Sequence, residues 1–513
     1  MNETWSIAKH ETLSEHGLVA CQNWLAAEAG ARVLSAGGNA VDAAITTALV
    51  LSVVEPWLSG IGGGGFMLRA DGSSGVVDVL DFNVVSPGAL DPDDYPLVEG
   101  KDGDWFEWPS VQGDSNLIGY GSICVPGAVA GFAEALARFG TISWADAIAP
   151  AIEHARRGLQ VDWYAALALA IDGHNLAQFK GAADLFLRDG RAPRVPEGGR
   201  SLFLPMTAKA ATLERLASEG ARDFYEGRTA DLLVADLARG GSVLSKSDLA
   251  SYTPKWRQPA VGDYRGRRVH TVPGLSGGPT LLAALADLES LPSDADPLSG
   301  ATALAFARAL RRASEYRLKH IGHAAGESCT SHISVVDAQG TMVSLTNTLL
   351  SRFGSKVVVP ELGFALNNGL MWFDPRPGHP NSIAPGRQPL ANMCPIIATR
   401  DGLPELALGA AGGRQIVPAI TQILSYVTAF GMTLEQALFS PRIDASGTTI
   451  RVNRAAGADV AAAVAAAFDV QVIDDALYPV NFAVPSAVMR HDGVNVGMVH
   501  PRNPWAAVRE ASV

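Results

Sequence analysis

The chain has 513 residues, 48% of them hydrophobic, with 52 acidic against 40 basic side chains and a formal net charge of −12. That is enough apolar material for a large buried core, in one big domain or two to three smaller ones. An acidic balance without any basic run excludes a scaffold that tracks nucleic-acid phosphates.

At the N-terminus, MNETWSIAKHE has neither the basic nor the apolar region of a secretory signal, so a cytoplasmic protein is expected. Leu25 to Ser35 reads as an Ala-rich helix ended by Gly37 and Gly38, and Asn39 can cap the next one. The apolar stretch Ala43 to Val54 is broken by Thr46, Thr47 and Ser52 and is shorter than the ~20 residues of a bilayer span, so a buried helix stopped by Glu55 and Pro56 is predicted. Gly62 to Gly65 leads into Phe66–Ala70; with the turn DGSSG and the run VVDVLDF this makes a hairpin. No GK[ST] follows those glycines, so close backbone packing is the reading rather than phosphate binding.

From about Pro126 to His320 the pattern is mostly helical, as in Ala130 to Phe139 and Ala301 to Lys319. His320 and His323 form an isolated HxxH with no evident third ligand, and Cys21, Cys124, Cys329 and Cys394 lack CxxC spacing. No metal, cofactor or disulfide framework is therefore indicated. After Thr330 the texture changes to short β-rich runs, HISVVD, TMVSLT, SKVVVP, CPIIAT and ELALG, followed by a helix from about Val417 to Phe430. Helices and strands interleave through both halves without repeats or linkers, which favours an α/β fold of helices layered on sheets.

HISVVD and TMVSLT are joined by Ala338, Gln339 and Gly340, a three-residue hairpin loop with Gly at the left-handed position. Counting nine residues outward from Gln339 in each direction reaches Thr330 and Thr348, so antiparallel pairing sets them opposite, with Cβ atoms ~5 Å apart. By alternation one face then carries Thr330, His332 and Ser334 against Thr348, Thr346 and Ser344. Threonine is a good strand former, and on its own the pattern is better explained by cross-strand packing.

The run T-S-H-I-S-V-V-D resembles the start of the small subunit in the gamma-glutamyltranspeptidase family. The resemblance extends to GGNAVDAA at 37–44, VVEPWLSGIGGGGFM at 53–67, VPGAVAGF at 125–132, PGLSGGPT at 273–280 and GAAGGRQ at 409–415. It implies a four-layer αββα N-terminal-nucleophile hydrolase, built jointly by a large-subunit segment, 1–329, and a small-subunit segment, 330–513. It also implies self-cleavage between Cys329 and Thr330, after which the α-amine of Thr330 acts as base for its own hydroxyl. An α-amine with a pKa of roughly 8 suits that work near neutrality. Thr348 matches the threonine that orients the nucleophile. Gly412 and Gly413, between the strand ELALG and a helix, would alone be a tight turn; they match the family's oxyanion glycines, whose N–H groups face a developing negative charge.

The match fails where family members hold a glutamyl head group. The arginine of D-x-R-E-x-A-P is Asn83 in DFNVVSP, and the paired serines of P-L-S-S-M-S-P are Ala391 and Asn392 in PLANMCP. The asparagine two residues after the helper threonine is Leu350, and the aspartate after N-N-Q-x-D is Trp372. A neutral amide does not replace the bidentate charge pairing of arginine, and an ammonium without counter-charge costs several kcal/mol, so an α-amino acid head group should bind poorly. Leu350 and Trp372 are expected to form an apolar acyl wall, with Asn83 and Asn392 hydrogen-bonding a neutral group. Arg387 and Arg414 are candidate anchors for a substrate carboxylate. PRPGHPNSIAPGRQP is shorter than the matching stretch in relatives with a lid loop, which implies an open site.

The leading expectation is a self-processing hydrolase or acyltransferase acting on a small acyl or amide substrate, with water or an amine as acceptor. Its acyl group is not an ordinary γ-glutamyl unit. The alternatives are a true glutathione hydrolase or γ-glutamyltransferase, an unusual carbon–carbon or oxamate-type hydrolase on the same scaffold, and a non-catalytic binding protein.

Overall fold

A computed structural model describes residues 7–101, 109–198, 200–292, 294–322 and 329–512. Two seven-stranded sheets, antiparallel throughout, lie face to face. One, the hairpin sheet, runs in the order Ala507–Glu510, Leu18–Cys21, Cys329–Val336, Met342–Leu350, Gly64–Ala70, Val77–Phe82, Lys255–Arg257. The second runs Thr12–Ser14, Val494–Val499, Val484–His491, Leu403–Ala411, Ile396–Arg400, Arg267–Thr271, Ala260–Tyr264.

Three apolar cores glue four layers together. On the outer face of the hairpin sheet, Ile333, Val335, Val343 and Leu345 pack against the helices Trp24–Ser35, Ala40–Val54 and Ala128–Phe139. On the outer face of the second sheet, Ile396, Ala398, Leu406 and Leu408 pack against Gly278–Leu288, Gly300–His320 and Ile416–Thr428. Between the sheets lies a third core that includes Leu68, Met342, Ile397 and Ala407. This is the αββα sandwich expected from the resemblance. The helix Ala40–Val54 is buried at every position, covered on one side by the sheet and on the others by neighbouring helices, which is why it shows no polar stripe. Asn39 caps it, in a reciprocal box with Asp42.

Both sheets are woven across position 330. Leu18–Cys21 pairs with Cys329–Val336, Gly64–Ala70 with Met342–Leu350, and Arg267–Thr271 with Ile396–Arg400. The glycines at 63 and 65 allow this: a Cβ at either would stand 2.1 or 2.0 Å from the carbonyl oxygens of Thr348 and Thr346.

Two expectations change. SKVVVP is no strand but a turning segment with a single bridge, Val358 to Ala365, since Lys356 takes a left-handed φ of +66°. Within the stretch read as helical, Lys255–Arg257, Ala260–Tyr264 and Arg267–Thr271 are strands at the sheet edges. Ala260–Tyr264 and Arg267–Thr271 form a local hairpin, but the partners that join it and Lys255–Arg257 to the sheets, Ile396–Arg400 and Val77–Phe82, lie far away in the chain. His320 ends its helix, and His323 lies outside the described residues. Cys21, Cys124 and Cys394 are buried and unbridged. Among the described residues no helix is long and apolar enough to cross a membrane.

Candidate active site

The hairpin pairs Thr330 with Thr348, His332 with Thr346 and Ser334 with Ser344. Gly340 occupies the loop at φ +82°, and the Asp337 N–H closes the turn on the Thr341 carbonyl at 3.1 Å. Thr330 Oγ1 donates to Thr348 Oγ1 at 3.3 Å, with both residues fully buried. Thr348 Oγ1 also accepts the Leu350 N–H at 2.8 Å, which fixes its orientation.

The ladder slips between Cys329 and Thr330. Thr330 faces Thr348 but Cys329 faces Leu350, so Leu349 is the extra residue of a bulge and its N–H goes to the Leu58 carbonyl at 3.1 Å. A bulge locally disrupts ladder pairing and bends the bulged strand, here Met342–Leu350 opposite the peptide that precedes Thr330.

Deeper along the same face the polar groups are tied into a seam between the sheets. His332 contacts Thr346 Oγ1 at 2.9 Å and Ser334 Oγ at 3.0 Å, and Ser334 Oγ donates to the Ser486 carbonyl at 3.1 Å. Burial lowers the His332 imidazole to a pKa of about 3, so the ring is neutral.

Gly412 ends the strand Leu403–Ala411 with φ +130°, and Gly413, at φ +59°, begins the short turn that runs into the helix Ile416–Thr428. A Cβ on Gly412 would stand 2.8 Å from Ala483 Cα. Glycine is therefore required there by both conformation and space. The two peptides sit where a strand turns into a helix start, the arrangement that aims N–H groups at an anion.

Thr330 and Gly412 line one cavity of about 630 Å3. Arg414 lines it as well, next to Asp444, whose carboxyl is held above the usual carboxylate range by burial, against smaller lowering from its Ser446 hydrogen bonds and from Arg451 and Arg414. Arg387 does not; it stands exposed on a loop, its backbone bonded to Ser86.

The five residues at the head-group positions are not on this cavity's wall. Leu350, Trp372 and Ala391 belong to the core between the sheets, each fully buried. Leu350, at a φ of +82°, stays on the inter-sheet side that it shares with Thr348, but it packs into that core and does not line the cavity. Asn83 Nδ2 donates to the Pro389 carbonyl at 3.4 Å. Asn392 Oδ1 accepts from Arg317, a buried arginine that also donates to the Ala391 carbonyl at 2.8 Å and the Ser276 carbonyl at 2.6 Å. Packing absorbs these side chains. Leu350 and Trp372, expected as an acyl wall, do not line this cavity; its lining includes Trp57, Tyr164, Met371 and Tyr478, with Arg352, Lys356 and Arg451 among the charged residues. Arg352 and Lys356 were legible as basic residues in the run LLSRFGSK just after Thr348; Tyr164, Arg451 and Tyr478 are brought in from distant elements with no local signal.

A family model described as gamma-glutamyltranspeptidase matches residues 26–328 and 307–509. The acylase ACY 1 proenzyme of a Pseudomonas species is 32% identical over 499 residues, covering 89% of this chain and 88% of that protein. The glutathione hydrolase proenzyme of Pseudomonas aeruginosa is 33% identical over 481 residues, covering 83% of this chain and 82% of its own length. The solved structure of a cephalosporin acylase from Bacillus halodurans matches with a TM-score of 0.87 at 26% identity, covering 100% of this chain and 99% of the other.

Proposed function

The chain belongs to the gamma-glutamyltranspeptidase family of N-terminal-nucleophile hydrolases, and from that premise we propose that it is a self-processing amide hydrolase with Thr330 as nucleophile. In the precursor the Thr330 hydroxyl attacks the carbonyl of Cys329. The Cys329–Thr330 peptide rearranges to an ester, and water hydrolyses that ester, leaving a carboxylate on Cys329 and a free α-amine on Thr330. The segments 1–329 and 330–513 stay together because both sheets contain strands of each.

In the processed enzyme the α-amine takes the hydroxyl proton as Thr330 attacks the substrate carbonyl. Thr348 orients the nucleophile, and the N–H groups of Gly412 and Gly413 stabilise the oxyanion. The tetrahedral intermediate collapses to an acyl-enzyme, the amine leaves with the proton, and water or an amine acceptor releases the acyl group. Each role is taken by a hydroxyl, an α-amine or a backbone N–H. Arg414, beside Gly412 on the cavity wall, contacts the substrate.

The observation that carries this reading is the Thr330–Thr348 hydroxyl contact of 3.3 Å, made on the wall of a cavity and next to a bulge at the scissile peptide. The acyl group is read as other than an ordinary γ-glutamyl unit because the family's head-group motifs are replaced by Asn83, Leu350, Trp372, Ala391 and Asn392, none of which lines the cavity. An acylase among the relatives supports this. The second reading, glutathione hydrolysis, is favoured by the relative of that name.

Intact-mass and N-terminal sequencing of the purified protein test the proposal. Two fragments dividing at 329/330, with Thr330 as a new N-terminus, are expected; a chain still whole after long incubation would overturn it. Turnover of γ-glutamyl-p-nitroanilide above that of N-acyl anilides would favour the second reading.

A further inference from the structure

We propose that Lys9 is a positioning residue for substrate binding: its ammonium locks the turn 500–506, and through Trp505 that turn sets the cavity wall at Trp57 and Tyr164. This role presupposes the amide-hydrolase reading and adds to it a determinant of fit that lies outside the cavity.

Lys9 Nζ donates to three backbone carbonyls, those of His500 at 3.4 Å, Asn503 at 2.5 Å and Ala506 at 2.9 Å. All three residues are buried, and a buried carbonyl without a donor is costly. An ammonium carries three donors on one atom, which suits three converging carbonyls better than a planar guanidinium does. Lys9 shortly precedes the strand Thr12–Ser14, which pairs with Val494–Val499 just before the turn, so the N-terminal segment is anchored beside what it holds.

Within the turn, Asn503 Oδ1 accepts the N–H groups of Trp505 and Ala506 at 2.9 and 3.0 Å, which fixes the backbone that carries the indole. Asn503 itself lines the cavity that Thr330 reaches. The Trp505 indole Nε1 donates to Asp162 Oδ2 at 2.7 Å, and Asp162 Oδ1 caps the helix Trp163–Leu176 by accepting the Tyr164 and Ala165 N–H groups at 3.0 and 2.9 Å. The indole stands 5.1 Å from the Tyr164 ring and 5.6 Å from the Trp57 ring, centroid to centroid. Tyr164 and Trp57 line the cavity, and Trp505 does not. Trp505 is thus a wedge behind the wall, held from one side by the turn that Lys9 locks and from the other by the helix cap. The same helix supplies Leu167 and Ile171 to the cavity, so a loosened wedge shifts a whole side of it. Thr330, Thr348 and the two glycines stand on other elements, so the loss falls on how substrate fits and not on the attack itself.

The test compares the processed native enzyme with Lys9→Met, Lys9→Arg and Trp505→Phe on the acetyl, hexanoyl, phenylacetyl and γ-glutamyl amides of p-nitroaniline, using whichever the native enzyme turns over fastest. Lys9→Met keeps length without donors; it should raise KM at least about fivefold and leave kcat within about twofold, while Lys9→Arg recovers part of the loss. Trp505→Phe, which lacks the bond to Asp162, should raise KM as well. In the double variant Lys9→Met/Trp505→Phe the rise should fall short of the product of the two, because both act through one wedge. An unchanged KM in Lys9→Met would overturn the proposal, as would fully multiplicative effects in the double variant. Self-cleavage at 329/330, followed on the same preparations, should keep its native rate in Lys9→Met; loss of cleavage in step with KM would mark general unfolding and also overturn the proposal. Cleavage with an unaltered KM sinks this inference alone, whereas a native chain that never cleaves sinks the amide-hydrolase reading beneath it. If no anilide is turned over, or Lys9→Met does not fold and Lys9→Gln replaces it, aromatic circular dichroism decides. The band that Trp505→Phe removes should weaken in the Lys9 variant without charge and persist in Lys9→Arg, and a band indifferent to that loss of charge would refute the lock.

Discussion

Two ends of one hairpin face carry nearly the same side chains and have different fates. At the inner end Ser334 and Ser344 donate to the carbonyls of Ser486 and Leu408 at 3.1 and 3.2 Å, and His332 stands neutral between Thr346 and Ser334. At the outer end Thr330 and Thr348 contact each other at 3.3 Å, and Thr330 reaches a cavity. Residue type and two-residue spacing do not distinguish seam from site. What does is whether the facing sheet closes over the hydroxyl or ends before it.

The sharpest way to break that contrast is Thr330→Ala. Both self-cleavage and turnover should drop by at least about 10^3-fold, read by denaturing electrophoresis and a substrate assay, because no other group replaces the attacking oxygen. Thr348→Val keeps shape but removes the acceptor for Thr330 and for the Leu350 N–H. Self-cleavage should slow by roughly 10- to 100-fold, followed as the decay of the full-length band, with no change in the site of cutting.

At the inner end the signature is in stability. The His332 pKa is about 3 in the folded chain because of burial, against about 6.5 when unfolded. The folded state therefore binds fewer protons between those values. The stability this ring contributes is fully present above pH 6.5 and is lost as pH falls toward 3, at roughly 1.4 kcal/mol per pH unit in mid-range. Denaturant titrations of Thr330→Ala between pH 7 and 5 should show that slope, and adding His332→Gln should flatten it by about that amount; an unchanged slope would refute a neutral ring in the seam. Ser344→Ala is the smallest change. It removes one bond to the Leu408 carbonyl and should cost about 1 kcal/mol of stability while self-cleavage keeps its native rate within roughly twofold.

Much of the outer end is legible in the amino-acid sequence. The hairpin loop at Gln339 and the count of nine to either side set Thr330 opposite Thr348, since register follows from turn length and the period of two. The Asn39 cap, the buried helix after it and the four-layer fold follow in the same way from local chemistry and from the resemblance. The cavity wall was not legible from the head-group positions. Leu350, Trp372 and Ala391 fail because they pack into the core between the sheets, and Asn83 and Asn392 because the Pro389 carbonyl and Arg317 engage them away from the cavity.

What the amino-acid sequence determined by itself is therefore local: which peptide precedes the nucleophile, which hydroxyl faces it, and where a strand turns into a helix at two glycines. These rest on interactions across a few residues, where backbone geometry leaves little choice. Only the tertiary structure decided which side chains line the cavity, because Tyr164, Arg451 and Tyr478 meet Thr330 through the stacking of four layers, and that meeting depends on contacts between residues more than a hundred positions apart.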